Sequence, residues 1–113
     1  MKKKYAMKWI KALRSGKYKQ GEETLMRDNK GGYCCLGVLR EVCDLGGDHQ
    51  ETLTPFEAKK VGMESTTGEL SIDISLADLN DLGLSQTNIE SIKNKRFTFD
   101  EIADIIEVEW PDL

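Results

Sequence analysis

Gly31-Gly32-Tyr33-Cys34-Cys35-Leu36-Gly37-Val38-Leu39-Arg40-Glu41-Val42-Cys43-Asp44-Leu45 holds all three cysteines of the chain and has the apolar spacing of a buried helix. Cys35, Leu36, Val38, Leu39, Val42 and Leu45 follow the 3.6-residue period, which predicts a helix from about Tyr33 to Leu45 ended by Gly46-Gly47. Gly37 stands in its interior, where glycine costs up to about 1 kcal/mol against alanine; a close helix contact or an approaching ligand would explain it. Cys34 and Cys35 are sequence neighbours that diverge on a helix, and three is an odd number, so a disulfide framework is not expected. Reduced thiols fit a cytoplasmic address.

A cysteine nucleophile needs a helix N-terminus or a nearby base to lower its pKa. Cys34 and Cys35 open the predicted helix, where the dipole favours a thiolate, but the one histidine, His49, follows in a Gly-rich loop that does not aim it back. The thiols therefore read as packing groups, and no catalytic residue is assigned. Zinc takes about four ligands at recognisable spacing, and this set falls short, so neither a metal nor another cofactor is expected. The carboxylate pairs Asp78/Asp81 and Asp100/Asp104 sit at helical spacing on outer or capping positions and read as solvated charge. No phosphate-binding loop, dinucleotide fingerprint or zinc-protease motif is present.

Upstream, Tyr5, Ala6, Trp9, Ile10, Ala12 and Leu13 line one side of a helix from Lys2 to Ser15, with Gly16 as its stop. Lys4, Lys8 and Lys11 form a stripe on the other side. Residues 1–20 contain eight basic side chains and no acid, whereas the rest of the chain has eight basic against 20 acidic. Such polarity describes either an anion-binding face or a solvated helix docked on an acidic body. The acidic remainder argues against duplex nucleic acid, whose affinity comes mainly from phosphate neutralisation.

Downstream, helix starts recur. Thr54-Pro55-Phe56-Glu57 combines an N-cap, a first-turn proline and a capping-box glutamate, with Gly62 placed as the stop. Ser75 to Asp78 repeats the pattern more weakly, with Gly83 beyond it, and Thr87 to Asn94 suggests another helix. Thr98-Phe99-Asp100-Glu101 starts the last, whose core face runs through Ala103, Ile106 and Trp110. Two short extended segments between Lys17 and Tyr33, and a third from Gly68 to Ile74, suggest strands. At 113 residues the chain is one domain, 1–113, of the α+β class: mainly helical, about five helices and a small two- or three-stranded antiparallel sheet. No run of about 18 apolar residues offers a membrane span, and no signal-peptide core follows the N-terminal lysines.

Ser15-Gly16-Lys17-Tyr18-Lys19-Gln20 gathers hydroxyl, aromatic, cationic and amide groups where the first helix ends, and Arg27 and Tyr33 bracket the next turn. Such groups can stack on a base and hydrogen-bond a phosphate. Equally, Tyr18 and Tyr33 can pack across a hairpin while the lysines face water.

The pattern Trp9-x-x-Ala12-Leu13-x-Ser15-Gly16-x-Tyr18-x-Gln20, then Tyr33-Cys34-Cys35-Leu36-Gly37-Val38-Leu39, resembles small proteins encoded by phages and prophages. Leu76-x-x-Leu79-Asn80-Asp81-x-Gly83 and Phe99-x-Glu101-Ile102-Ala103-Asp104-Ile105-Ile106-Glu107 are similar to their C-terminal pattern, with Leu84 to Arg96 reading as an insertion. The resemblance implies a viral accessory protein in the host cytoplasm that works by occupying something. The reading that follows is a non-enzymatic binder of a small anionic, nucleotide-like ligand with a counter-defence role. Its site would comprise Lys8, Lys11, Ser15, Tyr18, Gln20, Arg27, Tyr33 and Asn80, on a subunit boundary if the chain forms a homo-oligomer. One alternative is an inhibitor that covers a host defence or nucleic-acid-handling protein with its acidic surface. A cysteine-dependent enzyme using Cys34 is the other.

Overall fold

A computed structural model describes residues 1–21, 31–45, 53–70, 74–81 and 97–113. Among these, five α-helices run in the order α1 (Lys3–Arg14), α2 (Cys35–Val42), α3 (Pro55–Val61), α4 (Leu76–Asp81) and α5 (Phe99–Glu109), and a 3-10 turn (Trp110–Asp112) closes the chain. No described helix is long and apolar enough to cross a membrane.

The amphipathic first helix forms as its spacing predicts. Ala6, Trp9, Ile10, Ala12 and Leu13 are buried, while Lys3, Lys4, Lys8 and Lys11 are exposed. Trp9 is fully buried, and its indole N–H donates to the Cys35 carbonyl at 2.8 Å, tying α1 to the start of α2. The other side of α1 packs along α5 in the antiparallel sense. Arg14, at the end of α1, bonds Asp104 and Glu107, and Met1 N at its beginning donates to the Leu113 carbonyl at 2.6 Å.

Capping decides where the later helices begin. Thr54 and Thr98 each accept the amide of the residue three positions on, and Glu57 and Glu101 reach back to the cap amides, so both capping boxes are complete. Ser75 Oγ accepts the Asp78 amide at 3.1 Å and opens α4. Gly62 ends α3 with φ +80°, and a Cβ there would lie 2.9 Å from Lys2 Cγ and 3.0 Å from Lys2 N. That close approach lets the Lys2 amide donate to the Val61 carbonyl at 2.8 Å, seating the start of α1 on the end of α3.

The expected sheet is absent: the described residues contain no β-strand, and the fold is helical rather than α+β. Two isolated bridges occupy the places where strands were expected, Gln20 with Tyr33 and Glu69 with Ser75. Tyr33 donates to Lys19 O and accepts from the Gly21 amide, but the chain turns into α2 just afterwards, so the pairing is parallel and one residue long. Residues 68–70 are joined to residues 74–76 through Leu70 N to Ile74 O and Leu76 N to Gly68 O, and α4 begins at Leu76. After Tyr33 the helix begins before a second residue pair can form. The predicted helix at Thr87 to Asn94, the turn around residues 28–32 for the most part, the stop at Gly46-Gly47 and the insertion lie outside the described residues.

Among the described residues one ion pair is buried. Arg40 of α2, 9% exposed, makes a two-pronged contact with Glu57 of α3, 2% exposed, at 2.7 and 2.8 Å. Burial pushes the Glu57 carboxyl pKa up, but hydrogen bonds from Arg40, the contacts with Thr54 and the Arg40 charge outweigh it, leaving the pKa below the usual carboxylate range. Glu57 thus binds a proton more weakly folded than unfolded. Its stabilisation is present above the ordinary carboxylate pKa and is lost as pH falls through the folded value. Glu57→Gln leaves the Arg40 charge buried without its counter-ion and should destabilise the fold by about 3 kcal/mol at neutral pH. Urea unfolding from pH 7 to pH 3 checks both points: the variant should lose less stability over that range than the parent.

Candidate functional site

Gln20 and Asn80 lie together, but their polar groups hold the fold. Gln20 Nε2 donates to Asn80 Oδ1 at 2.9 Å and to the Phe97 carbonyl at 2.6 Å. Asn80 is fully buried. Tyr18 and Tyr33 meet edge to face with centroids 5.5 Å apart, the packing contact weighed against a base-stacking role. Ser15 Oγ donates to the Ala12 carbonyl at 2.6 Å and accepts the Lys17 amide, closing the C-terminus of α1. Arg27 lies outside the described residues. Around this corner Leu13, Arg14, Tyr18, Gln20, Phe99 and Asp100 line a cleft of about 240 Å³, below the roughly 300–1,000 Å³ of small-molecule sites. Its charged rim is poor for an anion, since Asp100 faces it and Arg14 is engaged by two carboxylates.

The predicted lysines are in a different situation. Lys8 and Lys11 are exposed on α1, and among the described residues neither forms an ion pair. Lys2, Lys3 and Lys4 occupy the positive end of α1, with no acid in the first turn and no side-chain cap. Each cation so placed opposes the helix dipole by about 0.3–1 kcal/mol, and the Lys4–Lys8 repulsion adds a few tenths. Lys59 and Lys60, in the last turn of α3, are exposed too, and the Lys2–Val61 hydrogen bond brings that turn to the start of α1. The charges of Lys8 on α1 and Lys60 on α3 both reach the Cys43 thiol. A lysine patch therefore spans two helices far apart in sequence. Sequence reading missed Lys59 and Lys60 because only the chain's path unites them with α1.

Beside the patch lies a hollow of about 710 Å³, between α3 and the loop that follows it. Lys59, Gly62, Met63, Ser65, Thr66 and Thr67 contribute to its wall, together with Glu64 and Glu69. Ser65 Oγ accepts the Glu69 amide at 2.8 Å, so its hydroxyl proton is directed elsewhere, and Thr67 donates to Glu69 at 3.5 Å. Hydroxyl donors next to ammonium groups suit phosphate oxygens, and the glutamates suit hydroxyl or amino donors on the same ligand. Nothing in the sequence marks Met63 to Thr67 except its run of hydroxyl side chains.

All three thiols are buried. The Cys34 sulfur accepts the Gly37 amide at 3.4 Å as the N-cap of α2, and Cys35 donates to the Leu76 carbonyl at 3.5 Å. Burial pushes the Cys43 thiol pKa up, against the opposing charges of Lys8 and Lys60. The described residues contain no cluster of three or more metal-ligating side chains.

Residues 1–60 match the family described as Domain of unknown function (DUF8296). The chain belongs to that family. Neither a curated protein nor a solved structure matches it. The matched part of this DUF8296 protein carries α1, α2 and nearly all of α3, and so includes every lysine of the patch. Ser65 to Thr67, Asn80 and α5 fall beyond it.

Two outcomes follow from this placement. Gln20→Ala removes two partly buried hydrogen bonds and should lower unfolding stability by about 1–3 kcal/mol in a denaturant titration. Thiol-reactive reagent added to the native protein should modify Cys34, Cys35 and Cys43 no faster than the protein unfolds, with full reaction in denaturant.

Proposed function

We propose that this is a non-enzymatic, phage-type accessory protein that sequesters a small anionic, nucleotide-like ligand in the host cell, in a counter-defence role. The hollow beside the lysine patch is the site. What carries the reading is the position of the roughly 710 Å³ hollow, whose wall includes Lys59 and whose edge at Gly62 touches Lys2. Lys2, Lys8, Lys59 and Lys60 supply positive charge to the phosphates, and Ser65, Thr66 and Thr67 offer hydroxyls. The volume lies within the roughly 300–1,000 Å³ range of small-molecule sites. Lys8 remains a site residue in this reading and Lys11 lies farther along the same face, whereas Ser15, Tyr18, Gln20, Tyr33 and Asn80 serve the fold.

Thermal-shift measurements with linear and cyclic mono- and dinucleotides test this. A ligand at about 100 times its Kd should add about 2.7 kcal/mol, and Tm should rise by roughly 10 °C. The rise should shrink with added salt and with Lys59→Glu/Lys60→Glu, and survive Lys19→Ala. No rise with any nucleotide, or a rise indifferent to the Lys59/Lys60 reversal, would refute it. The acidic alternative draws support from the exposed Asp100, Glu101, Asp104 and Glu107 along α5. A host nucleic-acid-handling protein retained in a pull-down, and lost on reversing those charges, would favour it.

A further inference from the structure

α1 and α5 lie side by side, and their outer faces are opposite in sign. On α1, Lys4, Met7, Lys11 and Arg14 follow one another at helical spacing on the solvent side, and Met7 is 39% exposed among cations. On α5, Glu101, Asp104, Glu107 and Val108 do the same, and Val108 is 75% exposed among acids. The ion pairs of Arg14 with Asp104 and Glu107 join the two rows into one continuous surface. One guanidinium set against two carboxylates leaves the α5 row negative. Each row thus presents one bare apolar side chain flanked by charge of a single sign.

We propose that this α1/α5 face is where a second copy of the chain docks. A two-fold axis running between the helices and parallel to them places α1 of each copy across α5 of the other. Every lysine row then meets an acidic row, and both contacts are made twice. Because α1 and α5 are antiparallel within one chain, the four helices at the interface pack as an antiparallel layer. No foreign partner has to supply the complementary charge. Met7 and Val108 of each copy lose water at the centre while the charges form the rim, the usual division of labour in an interface. With α1 about 18 Å long and two helices about 20 Å across, the footprint is only about 360 Å² per copy, below that of standard specific interfaces, so the dimer is weak, transient and salt-sensitive. The hollow proposed for the nucleotide lies toward α3 and is lined by neither Lys4 nor Lys11, so the two can be assayed separately.

Analytical ultracentrifugation of the ligand-free protein tests this across a concentration series. At about 50 mM salt the mass should rise toward twice that of the 12.8 kDa chain, and at about 0.5 M salt the dissociation constant should weaken by at least about tenfold. Lys4→Glu/Lys11→Glu and, separately, Asp104→Lys/Glu107→Lys should each be monomeric, since each places like charges together. Mixed in equal amounts they should form a heterodimer, which also shows that both variants fold. A wild-type protein that stays monomeric at high concentration and low salt would overturn the proposal, as would a dimer unmoved by salt, or reversal variants that remain apart when mixed.

Discussion

The indole N–H of Trp9 and the carbonyl of Cys35 set how α1 and α2 meet. A fully buried indole needs an acceptor, and a carbonyl in the first turn of α2 is available only if α1 crosses at one depth and rotation. With α1 fixed there, Ile10 and Leu13 join the apolar contact whose other members include Leu36, Leu39, Ile102 and Ile106. The same rotation turns Lys4, Lys8 and Lys11 outward. The exposed cationic face is therefore a consequence of how the tryptophan is satisfied, not an independent feature.

The charges of this protein separate into those the fold uses and those it leaves bare. Arg40 and Glu57 clamp α2 to α3, and Arg14 bridges α1 to α5. The exposed Arg14 pairs add little stability because solvent screens them, whereas the buried pair matters chiefly through the penalty for breaking it. Among the described residues the lysines at the start of α1 and the end of α3 make no such ion pair. Those at the start of α1 oppose its dipole, and Lys59 and Lys60, although they suit the C-terminal end of α3, bring further positive charge to the same junction; local conflict of this kind is commonly kept for function.

Helix boundaries were legible in the sequence wherever capping chemistry was explicit. Thr54/Glu57 and Thr98/Glu101 are short-range devices, complete within four residues, so no tertiary information is needed to place them. The sheet was misread for the opposite reason. Whether an extended segment such as residues 17–21 becomes a strand depends on a partner of matching length, and Tyr33 offers one residue before α2 begins. Gln20 and Asn80, both expected at a ligand, are bonded to each other in the structure. Their residue types suit either role, and only the geometry shows an amide pair joined at 2.9 Å.

By itself the sequence determined the amphipathic first helix, the burial of the thiol-bearing second helix and the unequal spread of charge, because these follow from residue type and periodicity along a local segment. The tertiary structure alone decided that Lys59 and Lys60 join the start of α1, that a hollow opens beside them, and that a basic and an acidic helix lie side by side. Those relations depend on where the chain crosses itself, and a hydrogen bond such as that between Lys2 and Val61 leaves no periodic trace in the residues that make it.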